Sequence, residues 1–265
     1  MLSKERQIKY IKKSWHKLEK QFQIFCDSSD QEALHKLRLE IKKIDSFIFL
    51  ISKGDPGKKF AMHFKPVRKL FKHAGIIRSA NLNLQLAEKH TIGNQAFLDG
   101  QKGIIDGQIK NFLSHRKMYS SHIRKSYKKI TENLVSLDDK YIENIYLHQY
   151  NKTKHFISGE NYGENLHTYR KKVKFLIYTY HLLNKSIRNE IKPEIPCLDI
   201  LQNSIGAWHD YVLSVEIVKA NNPESIQVIQ LLEEQIQNVL VTIHSIAREI
   251  ELKTFPYSKI ITHHS

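Results

Sequence analysis

An all-α fold is what this 265-residue sequence predicts, and three observations predict it. Apolar residues recur at three- and four-residue spacing along most of the chain. No alternating strand pattern stands out. One helical stretch also occurs twice: Leu34, His35, Arg38, Lys42 and Leu50 return 132 residues later as Leu166, His167, Arg170, Lys174 and Leu182, with Ile41 and Ile44 answered by Val173 and Leu176.

Taken in order, residues 4 to 26 carry Ile8, Ile11, Trp15, Leu18, Phe22 and Phe25 on one helical face. Ser28-Ser29-Asp30 ends that helix and caps the next. The first repeated helix runs to about Ser52. At about 100° per residue, Leu34, Leu37, Ile41, Ile44 and Ile48 form an apolar stripe, and His35, Arg38 and Lys42 form a second row on its flank. The turn cluster Gly54-Asp55-Pro56-Gly57 leads into a helix over about 58 to 74, with Val67, Leu70 and Phe71 inward. Gly75 is expected to cap that helix, and another runs from Ile76 to His90. Gly93, Gly100, Gly103 and Gly107 predict a loop or a broken helix start over 91 to 107, because each glycine costs up to about 1 kcal/mol relative to Ala inside a helix. A long helical pattern then continues to about 136 and is the most basic segment of the chain.

Leu137-Asp138-Asp139 starts the second half with a helix through about Phe156, closed by Ser158-Gly159. The second repeated helix spans 166 to about 190, with Leu166, Tyr169, Val173, Leu176 and Tyr180 as its stripe beside His167, Arg170 and Lys174. Pro193 and Pro196 bracket a connector, and a helix from near Cys197 is expected to break at Gly206 as the earlier one does at Gly75. After Asn221-Asn222-Pro223 the last helix runs from Glu224 to about Leu252, with Ile226, Ile229, Leu232, Ile236, Leu240, Ile243 and Ile250 inward. The expected organisation is one domain over 1 to 252, made of repeats at about 4–136 and 137–252, followed by a tail over 253 to 265.

Lys plus Arg exceed Asp plus Glu by 42 to 27, a net charge of +15. A polyanionic partner follows: nucleic acid, an anionic membrane surface or a phosphate polymer. The two cysteines, Cys26 and Cys197, are too few for a disulfide framework or a cysteine-rich metal site. No stretch of about 18 apolar residues occurs, so a membrane span is not expected, and the amino terminus lacks the apolar run of an export signal. The cytoplasm is the expected compartment. Asp138-Asp139 reads as a helix cap and His263-His264 falls in the tail, so no metal, cofactor or catalytic residue is expected.

A single basic row beside an apolar stripe is usually the solvated shoulder of an amphipathic helix. Solvation does not demand the same His-x-x-Arg-x-x-x-Lys spacing twice, so the two rows are candidate ligand contacts. These rows, each followed by a Gly-x-x-x-Asp-like hairpin (Gly75 to Ser79, and Gly206 to Asp210), resemble the CHAD family, the conserved histidine α-helical domain, over about residues 4 to 252. The resemblance implies two antiparallel four-helix bundles related by a pseudo-two-fold axis, with a basic channel between them that binds inorganic polyphosphate. It places the binding residues at His35, Arg38, Lys42 and Lys43 in the first copy and at His167, Arg170, Lys171 and Lys174 in the second, with Lys69 and Arg78 beside them. The chain departs from the family pattern at Asp45 and Ile177, where an Arg is usual, at Phe175 opposite Lys43, and at the pairs Arg78-Ser79 and His209-Asp210.

Polyphosphate has no bases to read, so recognition rests on repeated ionic hydrogen bonds from pre-positioned cations. A polyanion raises the pKa of a nearby His, so binding is expected to tighten towards pH 6. Alternatives are a general polyanion or nucleic-acid binder, for which no known motif is visible, and a scaffold that docks an acidic protein. A phosphate-cleaving enzyme is a third. Triphosphate tunnel hydrolases, which often accompany such domains, carry Glu-x-Glu-x-Lys on a strand, and this chain has Glu249-Ile-Glu251-Leu-Lys253. Here the string ends a helix with too little chain after it for a barrel. The expected function is therefore non-catalytic polyphosphate binding, with association with polyphosphate granules in view and the oligomeric state left open.

Overall fold

The computed structural model describes residues 1–52, 57–157 and 165–252. Ten α-helices run through them: α1 (Lys4–Ser28), α2 (Gln31–Ile51), α3 (Gly57–His90), α4 (Gln95–Ser114), α5 (Arg116–Glu132), α6 (Asp139–Ile157), α7 (Leu166–Thr179), α8 (Lys185–Ile191), α9 (Ile195–Asn221) and α10 (Ile226–Leu252). The fold is all-α. Among the described residues the one sheet-like pairing is an isolated bridge between Leu2 and Leu137, which ties the amino terminus to the start of the second half.

Local chemistry sets the ends of the first two helices. The Ser3 side chain accepts from the Arg6 amide to start α1, and Ser29 closes α1 with a left-handed φ of 56°. Asp30 then accepts from the amides of Glu32 and Ala33 to start α2. Packing closes two rings: α1, α2, α3 and α5 contact one another in turn, and α6, α7, α9 and α10 do the same. The halves meet where α2 lies on α7 and where α3 lies on α9. One apolar core runs through both, with Trp15, Ile44 and Phe64 in the first half and Tyr146, Val173 and Leu201 in the second. A smaller cluster of Leu86, Ile92, Val215, Val218 and Leu232 gathers where the later turns of α3 and α9 meet α10.

Several sequence expectations need correction. Gly75 and Gly206 do not cap helices, because α3 and α9 run unbroken through them. The reason lies on the neighbouring helix of the same half: a Cβ at Gly75 would stand 2.7 Å from the Arg38 guanidinium, and one at Gly206 would stand 2.7 Å from that of Arg170. The loop expected over 91 to 107 is short, with Thr91 at φ 52° and Gly93 at φ 89°, and α4 already begins at Gln95 under an Asn94 cap. Gly100, Gly103 and Gly107 lie inside α4, where packing on α3 outweighs their poor propensity. The long helix expected to reach 136 is split at His115 and ends at Glu132.

The second repeated helix also stops early, at Thr179 rather than near 190. Leu183 turns extended, and the Asn184 side chain accepts from the Ile187 amide to start α8 as a separate helix. In α10, Leu232, Ile243 and Ile250 are buried as expected, but Ile226 is 62% exposed because it sits at the helix start beyond the packed face. The turn residues Gly54, Asp55 and Pro56, the Ser158-Gly159 stop, Lys253 and the His263-His264 tail lie outside the described residues.

Candidate functional site

Where α2 meets α7, their basic flanks border a shared cavity of about 590 Å3. Arg38 and Lys42 reach it from α2, and His167, Arg170, Lys171 and Lys174 from α7. Six of the ten residues expected from the sequence thus line one cavity. Phe71 of α3 and the edge-to-face pair Phe49 and Phe175, with ring centres 5.2 Å apart, give it an apolar wall.

Each arginine is seated on the backbone of a helix from its own half. Arg38 Nη1 donates to the Phe71 carbonyl at 2.6 Å, and its guanidinium lies 4.1 Å from the centre of the Phe71 ring. Arg170 Nε donates to the Gln202 carbonyl at 3.0 Å. Phe71 and Gln202 each precede a glycine by four residues, Gly75 and Gly206, so the bare Cα leaves room for the guanidinium beside the carbonyl it bonds. The same seat occurs in both halves, and it holds each arginine in place.

The cations repel one another. Burial, then Lys174, Arg38, Arg170 and Lys171, push Lys42 down to about 8 from an ordinary 10.5. Water still reaches Lys42, yet it stands in a concave wall crowded with like charge. Burial and Arg170 likewise bring Lys174 to about 8, although Asp199 opposes the shift. The two histidines report across the junction. His167 is lowered by burial and then by Lys171, His209, Arg170 and Lys42, and His35 by burial and then by Arg78, Lys42 and Lys174, with Glu32 opposing. Each row therefore feels the charges of the other.

The remaining expected residues sit around this centre. His35 is exposed at the edge, within the field of Lys42 and Lys174. Arg78 lies beside His35 and Arg38 and donates to Gln85 Oε1 at 3.3 Å. Lys43 is held at 2.7 Å by Glu40, whose side chain is 8% exposed, and does not line the cavity. Lys69 is exposed on α3, also outside the lining. Asp45, which stands where the resemblance led us to expect an Arg, lines the cavity but accepts from Arg68 Nε at 2.8 Å, so an ion pair with α3 takes up its charge.

Three contributors escaped the sequence reading. Lys172 lines the cavity and was visible only as the third member of the run Arg170-Lys171-Lys172. Gln149 of α6 and Tyr178 of α7 also line it, and neither carries a sequence signal. Asp210 is half-buried near Arg170, Arg78 and Lys89; burial raises its pKa even though those cations and His209 pull it down. Among the described residues no group of three or more His, Cys, Asp or Glu is placed to hold a metal ion, and no helix is long and apolar enough to cross a membrane.

The family model for the CHAD domain matches residues 80–219, more than half of the chain. No curated protein matches it. The crystal structure of the CHAD domain from the plant Ricinus communis is similar in fold, with a TM-score of 0.66 and 12% sequence identity over 95% of this chain and 92% of that one.

Proposed function

We propose a function from one premise: the chain belongs to the CHAD domain family. It binds inorganic polyphosphate in the cavity between α2 and α7, holding the polymer without cleaving it. One observation carries this reading. Cations from two helices are gathered around one cavity, where burial first and then their mutual repulsion lower Lys42 and Lys174 to about 8. Such crowding costs stability in the free protein, and at neutral pH a ligand of high negative charge density relieves it. A phosphate chain supplies that density without bases, and rigidly seated guanidiniums suit its oxygens.

The test is a titration with tripolyphosphate and with long-chain polyphosphate, comparing the intact chain with the Arg38→Ala, Arg170→Ala double variant. Losing two charged contacts is expected to weaken binding by at least about tenfold, or about 1.4 kcal/mol. Unchanged affinity in a folded double variant would remove the cavity from the reading. Release of inorganic phosphate on addition of magnesium would replace a binding role with a hydrolytic one.

A further inference from the structure

The charge of the chain is divided very unequally. Residues 1–136 hold 28 of the 42 Lys and Arg against 12 of the 27 acids, a net +16, whereas residues 137–265 hold 14 against 15, a net −1. The cavity does not account for this. It draws four cations from the second half (Arg170, Lys171, Lys172 and Lys174) and two from the first (Arg38 and Lys42). The surplus of the first half therefore lies on its other surfaces.

Part of that surplus forms an ordered surface. Lys65, Lys69 and Lys72 are all exposed on α3, and at about 1.5 Å rise per residue they span about 10 Å along one stripe. Contacts fix what lies on either side. Arg68 bonds Asp45 of α2, and Gly75 touches Arg38, so that flank of α3 faces α2 and the cavity. His73 Nδ1 lies 2.7 Å from the Tyr119 hydroxyl, and His63 is lowered by burial and by Lys129, so the other flank faces α5 and the two helices run antiparallel. At about 100° per residue the three lysines fall between these flanks. Beyond them, α5 exposes Arg124, Lys125, Lys128 and Lys129. Among the described residues, no carboxylate pairs with Lys65, Lys69, Lys72, Arg124, Lys125 or Lys129.

We propose that a phosphate polymer too long for the cavity leaves it over the α3 lysine stripe and continues along the exposed basic face of α5. The proposal rests on the polyphosphate reading and adds a second, outer contact surface to it. No aromatic side chain is exposed on α3 or α5, so a nucleic-acid base finds nothing there to stack on, and a plain phosphate chain fits the surface better. Because the outer cations are solvated, they contribute by neutralising phosphates and displacing counterions, which makes their share strongly salt-dependent.

The experiment compares two ligands on two variants of the full chain. In the first, Lys65, Lys69, Lys72, Arg124, Lys125 and Lys129 become Gln, which keeps good helix formers on the surface. This variant is expected to bind tripolyphosphate within about twofold of the intact chain, but to lose roughly tenfold or more for long-chain polyphosphate, with a shallower dependence on salt. The second, Arg38→Ala with Arg170→Ala, is expected to lose both ligands. Long-chain affinity and salt slope unchanged in the first variant would overturn the outer surface while leaving the cavity intact. Tripolyphosphate unaffected in the second would overturn the cavity reading itself. Duplex DNA competing as well as long-chain polyphosphate at equal phosphate, and losing that ability in the first variant, would reassign the outer surface to nucleic acid.

Discussion

Replacing Gly75 or Gly206 with alanine should destabilise the protein, although both glycines lie inside helices, where alanine is normally the better residue. A Cβ at either position would stand 2.7 Å from a guanidinium nitrogen, where about 3.4 Å is the near limit of ordinary contact, so Arg38 or Arg170 must retreat by about 0.7 Å. A guanidinium ends a flexible side chain and could otherwise swing aside cheaply, but here the Phe71 or Gln202 carbonyl holds it, so the retreat stretches and misaligns that bond and at the limit forfeits it. Alanine gains about 1 kcal/mol in helix propensity. Losing a half-buried hydrogen bond from a charged donor costs about 1.5–3 kcal/mol. The second effect wins, and each variant should lose about 1 kcal/mol net in urea unfolding at constant slope. The internal control is in α4, where a Cβ at Gly103 or Gly107 meets nothing within 4 Å, so the same substitution there should stabilise by about 1 kcal/mol. In an Arg170→Ala background, Gly206→Ala should recover that gain, because its obstacle is gone. Gly75→Ala and Gly206→Ala variants as stable as Gly103→Ala would refute the account of the arginine seats.

Further outcomes concern pH and one carboxylate. Burial and the neighbouring cations hold Lys42 and Lys174 at about 8 in the free folded chain against 10.5 when unfolded, and a bound polyanion is expected to raise them by offsetting those cations. Binding therefore takes up protons above about pH 8, so polyphosphate affinity measured by competition should fall as pH rises from 8 to 9.5. His35 and His167, held below their ordinary 6.5, should add a further gain as pH falls below that value. For the ligand-free protein the sign reverses: between 8 and 10.5 the unfolded chain binds more protons at these lysines, so the cost of burying their charge, and their repulsion, fades and the melting temperature should rise from pH 7 to 9. A flat affinity profile would remove the coupling. Asp210 sets a carboxylate near Arg170 and Arg78, so Asp210→Asn should tighten tripolyphosphate binding by about two- to fivefold at low salt, and weaker binding in a titration would contradict its placement as a competing anion.

The helices that carry the site were legible because both jobs are written at one spacing. The stripe Leu34, Leu37, Ile41, Ile44 and Ile48 is fully or almost fully buried, so the flank bearing Arg38 and Lys42 had its direction fixed by the core. That logic worked for α7 through Tyr169 and Val173 but failed at its end, where Asn184 starts a new helix without any break in the apolar pattern. The glycines were misread for a different reason. Local sequence offers a glycine in a helix only as a cap or a defect, whereas Gly75 answers to Arg38, 37 residues earlier, and Gly206 to Arg170, 36 residues earlier. Lys43 shows the converse limit. It has the charge and sits beside Lys42, but Glu40 one turn back holds it and it does not line the cavity, which the spacing of the cations alone does not show.

The separate apolar cluster at the later turns of α3 and α9 has a mechanical consequence. The halves are fastened there as well as along α2 and α7, and a body pinned at two places does not swing open like a jaw. The gap between them is expected to keep a set width, so on the polyphosphate reading thickness becomes a criterion for admission: a slender strand should fit, and a bulky double helix should be left outside.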